Sequence, residues 1–215
     1  MERERNKKTM KRGYFITFEG GDGSGKSTQI KLLQDFLTEQ GYHVLLTREP
    51  GGTAISEKVR DIILDKKNAE MCDMTETMLY AAARAQLVQQ VIKPAVDGGD
   101  IVICDRFVDS SIAYQAWGRG LGDLVWDINR HAVGDYMPDL TILLKLDPMQ
   151  GMKRIKSREQ DRIELSSDDF HRKVYEGYLN LEAMDPDRIK GIDASQGIDR
   201  IAEQIRDLVE DLINR

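Results

Sequence analysis

A glycine-rich segment of eight residues, Gly20 to Ser27, has the residue types and spacing of a phosphate-binding loop. Its sequence, GGDGSGKS, matches the pattern G-x-x-x-x-G-K-[ST] and lies directly between an apolar run and a helical pattern. Glycines let backbone N–H groups turn toward phosphate oxygens, and the N-terminus of the next helix favours negative charge. Lys26 would contact the β- and γ-phosphates, and the Ser27 hydroxyl would bind Mg²⁺. The predicted triphosphate-binding residues are Gly20, Gly21, Asp22, Gly23, Ser24, Gly25, Lys26, Ser27 and Thr28.

The residues after a later apolar run, Ile101 to Cys104, indicate which phosphate chemistry the loop serves. Asp105 comes first, where a carboxylate at the end of a strand can hold Mg²⁺ or one of its waters. Arg106 follows, whereas a motor ATPase usually has a second acid there to polarise the attacking water. The chain contains no guanine-binding N-K-x-D pattern. These residues favour a kinase with a second anionic substrate over a motor or a GTPase.

Five short apolar runs, continuous rather than alternating, predict strands that are covered on both faces of a sheet. Each run is followed by an amphipathic stretch, and this alternation indicates an α/β fold with a mostly parallel sheet and helices on both faces. Ligands of such sheets bind at the carboxyl ends of the strands. The predicted strands are Tyr14 to Phe18, Val44 to Thr47, Ile101 to Cys104, Leu140 to Leu146 and Ile189 to Ile192. The predicted helices are Lys26 to Gln40, Ile55 to Leu64, Thr75 to Val96 and Gly197 to Ile213.

Charge is distributed unevenly along the 215 residues, which carry a net charge of -6. Residues 1–12 hold six basic and two acidic side chains, so the remainder of the chain is strongly acidic. An acidic body argues against binding to nucleic acid, and no stretch approaches the roughly 20 apolar residues that span a bilayer. The tail lacks the apolar core of a signal peptide. We therefore expect a cytoplasmic protein with no membrane or nucleic-acid partner, whose tail is either a disordered extension or a contact segment.

The ordered set of motifs resembles the thymidylate kinase family over residues 13–213. The shared segments are Phe18-Glu19-Gly20, Thr47-Arg48-Glu49-Pro50-Gly51-Gly52-Thr53, Ala82-Ala83-Arg84, Asp105-Arg106-Phe107, Asp109-Ser110-Ser111, Ala113-Tyr114-Gln115, Gly118-Arg119-Gly120-Leu121, Pro138-Asp139-Leu140-Thr141, Asp161-Arg162-Ile163-Glu164 and Asp193-Ala194. The resemblance implies transfer of the γ-phosphoryl group of ATP to dTMP, with Mg²⁺, in a homodimer that serves dTTP biosynthesis. It also implies a P-loop NTP hydrolase-type three-layer fold whose parallel sheet has the strand order 2-3-1-4-5, in a kinase domain over residues 13–215.

The resemblance assigns several residues to dTMP. Arg106 and, less firmly, Arg48 would bind its phosphate, since two polyanions must be brought together for the reaction. Asp22 would accept a hydrogen bond from the 3′-hydroxyl of the sugar. Asp105 would join Ser27 at the Mg²⁺ site. Pro50 belongs to the same substrate-binding set.

Base recognition is expected from the long predicted helix and from the segment after Asp105. Tyr80 and Arg84 are four residues apart and share a helix face, so a ring could stack on thymine while the guanidinium donates to O4. The family usually has Phe where this chain has Tyr80. By resemblance, Ser111, Tyr114 and Gln115 recognise the base edge and discriminate against a 2′-hydroxyl.

The charged segment from Lys153 to Asp169 corresponds to the family's LID, placed at about residues 153–167. Such a segment closes over ATP, excludes water and can bring an arginine to the transferred group. Some members carry that arginine in the phosphate loop, where this chain has Gly23. The resemblance is thus to the bacterial type. Arg158 is the first candidate for the catalytic arginine, followed by Arg162 and then Arg154, which is also assigned to ATP. The composition of this segment is compatible both with a mobile cap and with an exposed helical turn.

Two alternatives remain at the level of the sequence. A related kinase acting on dUMP or UMP would share all features except the contacts to base and sugar. A P-loop ATPase switch without an acceptor substrate is a different class, and Arg106 after Asp105 argues against it.

Overall fold

The structure, a computed structural model, describes residues 12–155 and 159–214. The strands are β1 (Tyr14–Glu19), β2 (Val44–Arg48), β3 (Ile101–Asp105), β4 (Leu140–Lys145) and β5 (Ile189–Asp193). The α-helices are α1 (Lys26–Glu39), α2 (Ala54–Leu64), α3 (Asp73–Leu87), α4 (Lys93–Asp97), α5 (Val108–Ser111), α6 (Leu124–Val133), α7 (Pro148–Ile155), α8 (Asp168–Met184) and α9 (Ile198–Ile213). Two π-helical segments, Val88–Ile92 and Ile112–Gly118, continue α3 and α5.

The strands form a parallel sheet in the order β2-β3-β1-β4-β5, which confirms the predicted fold class and strand order. Phe18 lies opposite Asp105 on one side and Ile142 on the other, so the ends of the three central strands meet at one edge. The phosphate loop follows β1 at this edge. The topology therefore brings the loop and Asp105 together, as ligand sites of parallel sheets require.

Helices cover both faces of the central strands, and β1, β3 and β4 are almost wholly buried. One face packs against α1 and α9, and the other packs against α8 and the continuous helix of α3, its π-helical segment and α4. The edge strand β2 differs from the sequence prediction because Leu46 is 40% exposed. An edge strand has a neighbour on one side only, so the helices beside it cover less of its surface.

Side-chain caps mark two helix starts. Thr53 Oγ1 accepts a hydrogen bond from the backbone N–H of Ser56 at 3.0 Å at the start of α2. Ser167 Oγ accepts one from the N–H of Phe170 at 3.2 Å at the start of α8. Such caps satisfy N–H groups that lack a partner within the helix. Among the described residues, no helix combines the length and the apolar character that crossing a membrane requires.

The π-helical segment Ile112–Gly118 was not predicted from the sequence. The backbone N–H of Arg119 bonds to the carbonyl oxygen of Tyr114 at 2.9 Å, five residues earlier. The consecutive residues from Ile112 to Ala116 are all buried, so this segment has no solvent-facing side over those five residues. Such segments occur often at functional sites, and this one contains Tyr114 and Gln115.

The described part of the charged segment after α7, residues 159–169, is more buried than its composition suggests. Ile163 and Glu164 are each only 5% exposed, and Ile163 packs in the core beside α8 and the second π-helical segment. The expectation of an exposed turn is therefore wrong for these two residues. At the other end of the chain, Arg12, the last residue of the basic tail, forms an ion pair with Asp139 at 2.8 Å.

A buried ion pair fixes α5, which begins two residues after Arg106, to the sheet. Arg188 donates to both carboxylate oxygens of Asp109, at 2.6 and 3.0 Å. Thr141 Oγ1, on β4, donates to the same carboxylate at 3.1 Å and shares a hydrogen bond with Thr17 on β1. Asp109 is 1% exposed, so its charge depends on these partners.

We expect Arg188→Met to destabilise the fold strongly because it leaves Asp109 buried without its cation. The loss should be about 3 kcal/mol in the free energy of unfolding, measured by urea denaturation. Arg200→Met, which removes an exposed ion pair with Glu203, should cost less than about 1 kcal/mol. Equal losses in the two variants would contradict the structural role of Arg188.

Candidate active site

Most of the predicted site residues converge on one cleft at the carboxyl ends of the strands. Its volume is about 520 Å³, within the range of small-molecule sites. The predicted residues that line it are Asp22, Gly23, Gly25, Lys26, Ser27, Thr28, Arg48, Pro50, Tyr80, Arg84, Asp105, Arg106, Ser111, Tyr114 and Gln115. Those that do not line it are Gly20, Gly21, Ser24, Arg154 and Arg162. Arg158 lies outside the described residues.

The phosphate loop depends on glycine for its shape. Gly20, Gly23 and Gly25 have φ angles of 130°, 76° and 97°, which L side chains rarely adopt. A Cβ at Gly23 would lie 2.3 Å from the carbonyl oxygen of Gly151, so α7 approaches the loop this closely only because position 23 has no side chain. Lys26 Nζ donates to two carbonyl oxygens of the loop, at 3.1 and 3.2 Å. The ammonium group is thus held beside the loop.

Asp22 and Arg106 form an ion pair inside the cleft. Arg106 Nη2 donates to Asp22 Oδ1 at 2.7 Å. Burial alone would raise the pKa of Asp22, but the charges of Arg106 and Lys26 outweigh it and lower the pKa to about 2. Arg106 has a φ of 68°, a left-handed conformation that is uncommon outside glycine and clusters at functional sites. A ligand that binds either side chain must exchange this contact for its own.

Glu19, at the end of β1, supports Arg106 through two hydroxyl groups. It accepts hydrogen bonds from the N–H of Phe107 at 2.7 Å, the hydroxyl of Ser110 at 2.6 Å and that of Tyr178 at 2.9 Å. Arg106 Nη1 donates to the same two hydroxyls, at 3.3 and 3.2 Å. The sequence alone led to no predicted role for Glu19. Its position at the end of an apolar run was the one signal that could have indicated a functional carboxylate.

Burial, and next the negative charge of Asp109, raise the pKa of Glu19 to about 7. The folded chain therefore keeps this proton between about pH 4.5 and 7, where the unfolded chain releases it, so stability falls as pH rises through that range. The slope for one group is at most about 1.4 kcal/mol per pH unit. We expect Glu19→Gln to reduce this fall, measured by urea denaturation at a series of pH values.

The matched control for this titration is Glu39→Gln, at the exposed end of α1. It removes a carboxyl group of the same type from an exposed position, so an equal reduction of the slope in both variants would show that burial of Glu19 is not the cause. A Glu19→Gln variant with the unmodified slope would contradict a raised pKa at Glu19.

Arg84 is buried on α3, and all five of its N–H groups bond to protein acceptors. Nε and Nη2 donate to Glu49 Oε2 at 2.8 and 2.5 Å, and Nη2 also donates to the carbonyl oxygen of Phe107 at 3.0 Å. Nη1 donates to Ser111 Oγ at 2.9 Å and to Asn129 Oδ1. Arginine has no further donor, so in this arrangement Arg84 supports the wall of the cleft. The predicted contact with thymine O4 stays a prediction and requires Nη1 to release Ser111 or Asn129.

Glu49, the partner of Arg84, presents an unused acceptor at the cleft. Its Oε1 is buried and receives no hydrogen bond from the described residues. Burial raises the pKa of this carboxyl to about 7 in spite of the charge of Arg84. Glu49 lines the cleft beside Pro50. The sequence placed it in a shared motif but predicted no role for it, because nothing local in the chain shows that Arg84 faces it.

The predicted base-binding side chains share one wall of the cleft. Tyr80 and Arg84 both line it, as their spacing on one helix face predicts. Tyr114 lies beside Arg106, whose guanidinium carbon is 5.2 Å from the ring centre. Gln115 Nε2 donates to Oε1 of Glu76, a buried carboxylate on α3, at 2.9 Å. Glu76 is a further residue that sequence reasoning missed.

The remaining arginines lie around the cleft and bond to protein groups. Arg48, 51% exposed at its side chain, pairs with Glu57 at 2.9 Å. Arg154 Nη1 donates to the carbonyl oxygen of Gly23 at 3.1 Å, next to the phosphate loop. Arg162 Nη2 donates to Glu76 Oε2 at 2.7 Å. The structure thus separates the two described candidates of the LID, because Arg154 reaches the phosphate loop and Arg162 reaches α3.

Asp105 and Ser27 have the chemistry of a Mg²⁺ site. Both line the cleft, and Asp105 Oδ1 is buried without a hydrogen-bond partner among the described residues. Within those residues, no group of three or more His, Cys, Asp or Glu side chains could hold a metal ion. Mg²⁺ at nucleotide sites is typically bound by one or two protein oxygens together with waters and substrate phosphates, and the two side chains fit that pattern.

A phosphate loop after β1, a carboxylate after β3 and the strand order of the sheet define a P-loop nucleotide-binding protein, and Arg106 in the cleft is typical of a nucleotide kinase. The family model "Thymidylate kinase" matches residues 18–205. The chain is 47% identical over 201 residues to the thymidylate kinase of Clostridium novyi (strain NT), covering 92% of this chain and 98% of that protein. The chain belongs to the thymidylate kinase family.

Two further relatives agree with this assignment. The thymidylate kinase of Thermoanaerobacter sp. (strain X514) is 50% identical over 200 residues, covering 93% of this chain and 98% of that protein. The crystal structure of thymidylate kinase from Ehrlichia chaffeensis is similar with a TM-score of 0.76 and 33% identity, covering 93% of this chain and 99% of the other. Similarity therefore extends over nearly the full length of both chains.

Proposed function

We propose that this chain transfers the γ-phosphoryl group of ATP to dTMP, forming dTDP and ADP for dTTP biosynthesis. Family membership supports the reaction, and the observation that carries it at the site is the single cleft that holds both the phosphate loop and Arg106. A donor and an acceptor nucleotide can therefore meet in one enclosed space. Three further points stay predictions: the homodimer, the cytoplasmic location, and the division into a tail (1–12) and a kinase domain with its LID.

ATP would bind through the phosphate loop from Gly20 to Thr28, with Lys26 at the β- and γ-phosphates. The reaction spreads negative charge over the transferred group, so catalysis is mainly positioning and electrostatic stabilisation. The bond from Arg154 to the carbonyl oxygen of Gly23 supports assigning Arg154 to the phosphates of ATP. Ser27 and Asp105 would hold Mg²⁺, which neutralises phosphate charge when bound.

dTMP would bind on the opposite side of the cleft by exchanging partners with an existing ion pair. Its phosphate would replace Asp22 as the partner of Arg106, and Asp22 would then accept from the 3′-hydroxyl. Arg48 is half exposed at the same cleft, where it can add a second cation. Tyr80, Tyr114 and Gln115 would contact the base, next to the wall that Arg84 and Ser111 support.

The acceptor requirement tests this function. We expect rapid ADP formation with ATP, Mg²⁺ and dTMP in a coupled assay, and very slow ADP formation without an acceptor, because a closed kinase site excludes water. The rate with dUMP should be lower by about tenfold or more, since one methyl group in an apolar pocket contributes roughly this factor. UMP and AMP should be poorer still. Rapid hydrolysis without acceptor would indicate an ATPase switch, and preference for UMP or AMP would indicate a different kinase.

The arginines of the LID give a second test. Arg158→Ala should lower kcat by about 10²-fold or more, as loss of a donor to the transition state does, while the KM for dTMP changes little. Arg162→Ala is the matched comparison from the same segment and should lower kcat less, because Arg162 bonds to Glu76. An unchanged kcat in Arg158→Ala would remove its catalytic assignment, and a larger loss in Arg162→Ala would transfer that assignment to Arg162.

A further inference from the structure

Glu76 is a buried carboxylate beside the acceptor side of the cleft. It lies on α3, is 1% exposed and accepts hydrogen bonds from three side chains. Gln115 Nε2 donates to Oε1 at 2.9 Å, Arg119 donates to both oxygens at 3.2 and 3.1 Å, and Arg162 donates to Oε2 at 2.7 Å. The carboxylate is therefore surrounded by donors.

These donors keep Glu76 ionised. Burial would raise the pKa of Glu76, but the hydrogen bonds from Arg119 and Gln115 outweigh it and lower the pKa. An ionised carboxylate only accepts hydrogen bonds. The amide of Gln115 must therefore direct its NH₂ group toward Glu76, and charge rather than the shape of the side chain fixes this orientation.

The fixed orientation leaves Gln115 Oε1 for a ligand. Gln115 lines the cleft, and no described residue donates a hydrogen bond to its Oε1. Arg84, on the same wall, has no N–H group left for a base in this arrangement. The side chain of Gln115 therefore presents Oε1, an acceptor, to the base, while one N–H of its amide donates to Glu76.

We propose that Glu76 is a positioning residue for base selectivity, which holds Gln115 as an acceptor so that the site selects pyrimidines with an N3–H group over cytosine. The proposal rests on dTMP being the acceptor substrate. Thymine and uracil carry a hydrogen on N3, whereas N3 of cytosine has a lone pair. An acceptor opposite N3 forms a hydrogen bond with thymine or uracil. With cytosine, the lone pair of the acceptor would face the lone pair of N3, and a buried polar mismatch of this kind is costly.

The test compares kcat/KM for dTMP, dUMP and dCMP in the unmodified chain and in Glu76→Gln. The new amide can bond to Arg119 and Arg162 through its oxygen and donate its NH₂ group to Gln115, which then turns its own NH₂ group toward the base. We expect the dTMP-to-dCMP ratio to fall by at least about tenfold. The dTMP-to-dUMP ratio should stay within about twofold, because these bases share the same N3–H edge.

Two further variants separate selectivity from stability. Arg119→Lys changes a different partner of Glu76 but keeps a donating cation there and the bond to Gln115, so it should keep both substrate ratios whatever it does to the free energy of unfolding. The double exchange Glu76→Gln with Gln115→Glu keeps the net charge and again presents only an acceptor to the base. It should restore the preference for dTMP over dCMP.

An unaltered dTMP-to-dCMP ratio in Glu76→Gln, alongside normal turnover of dTMP by the unmodified chain, overturns this proposal alone. If Glu76→Gln does not fold, the double exchange decides, and loss of the preference for dTMP in it overturns the proposal. Failure of the unmodified chain to phosphorylate dTMP overturns the proposed function and this inference with it.

Discussion

The geometry of the cleft depends on one buried carboxylate, Glu19, which joins the end of β1 to the loop after β3. Its hydrogen bonds to the N–H of Phe107 and to the hydroxyl groups of Ser110 and Tyr178 fix the chain directly after a left-handed Arg106. That backbone conformation is unfavourable for arginine by itself. The surrounding bonds maintain it, and the guanidinium group lies in the cleft, where it donates to Asp22 of the phosphate loop.

The cleft is not a simple basic surface, although its sequence suggests a cluster of cations. Arg106 pairs with Asp22, Arg48 with Glu57 and Arg84 with Glu49. Unpaired charges in a partly buried site would be costly, and each of these three arginines has a carboxyl partner before any substrate arrives. In the proposed function, binding of the dTMP phosphate would therefore exchange carboxylate for phosphate at Arg106, and the net gain in free energy would be smaller than the contact alone suggests.

The sequence predicted the parts of the structure that depend on local pattern. Continuous apolar runs located all of the strands in the sheet, and the glycine-rich motif located the phosphate loop because its conformation needs residues at positive φ. Contacts between distant segments could not be found in this way. The four-residue spacing predicted that Tyr80 and Arg84 share a helix face. It could not predict Glu49 as the partner of Arg84, because Glu49 comes from a distant loop. Nor does any periodicity in the sequence distinguish the π-helical turn that contains Gln115 from an α-helix.

The two ends of the charged segment are held with unequal strength. On the side of α7, Arg154 bonds to a single carbonyl oxygen at an exposed position. On the other side, Arg162 donates to buried Glu76 and to the carbonyl oxygen of Ile63. Withdrawing Arg162 would remove a cation from a buried carboxylate, which costs far more than breaking an exposed neutral contact. Any closure over ATP is therefore expected to move α7, while Arg162 keeps its place against α3.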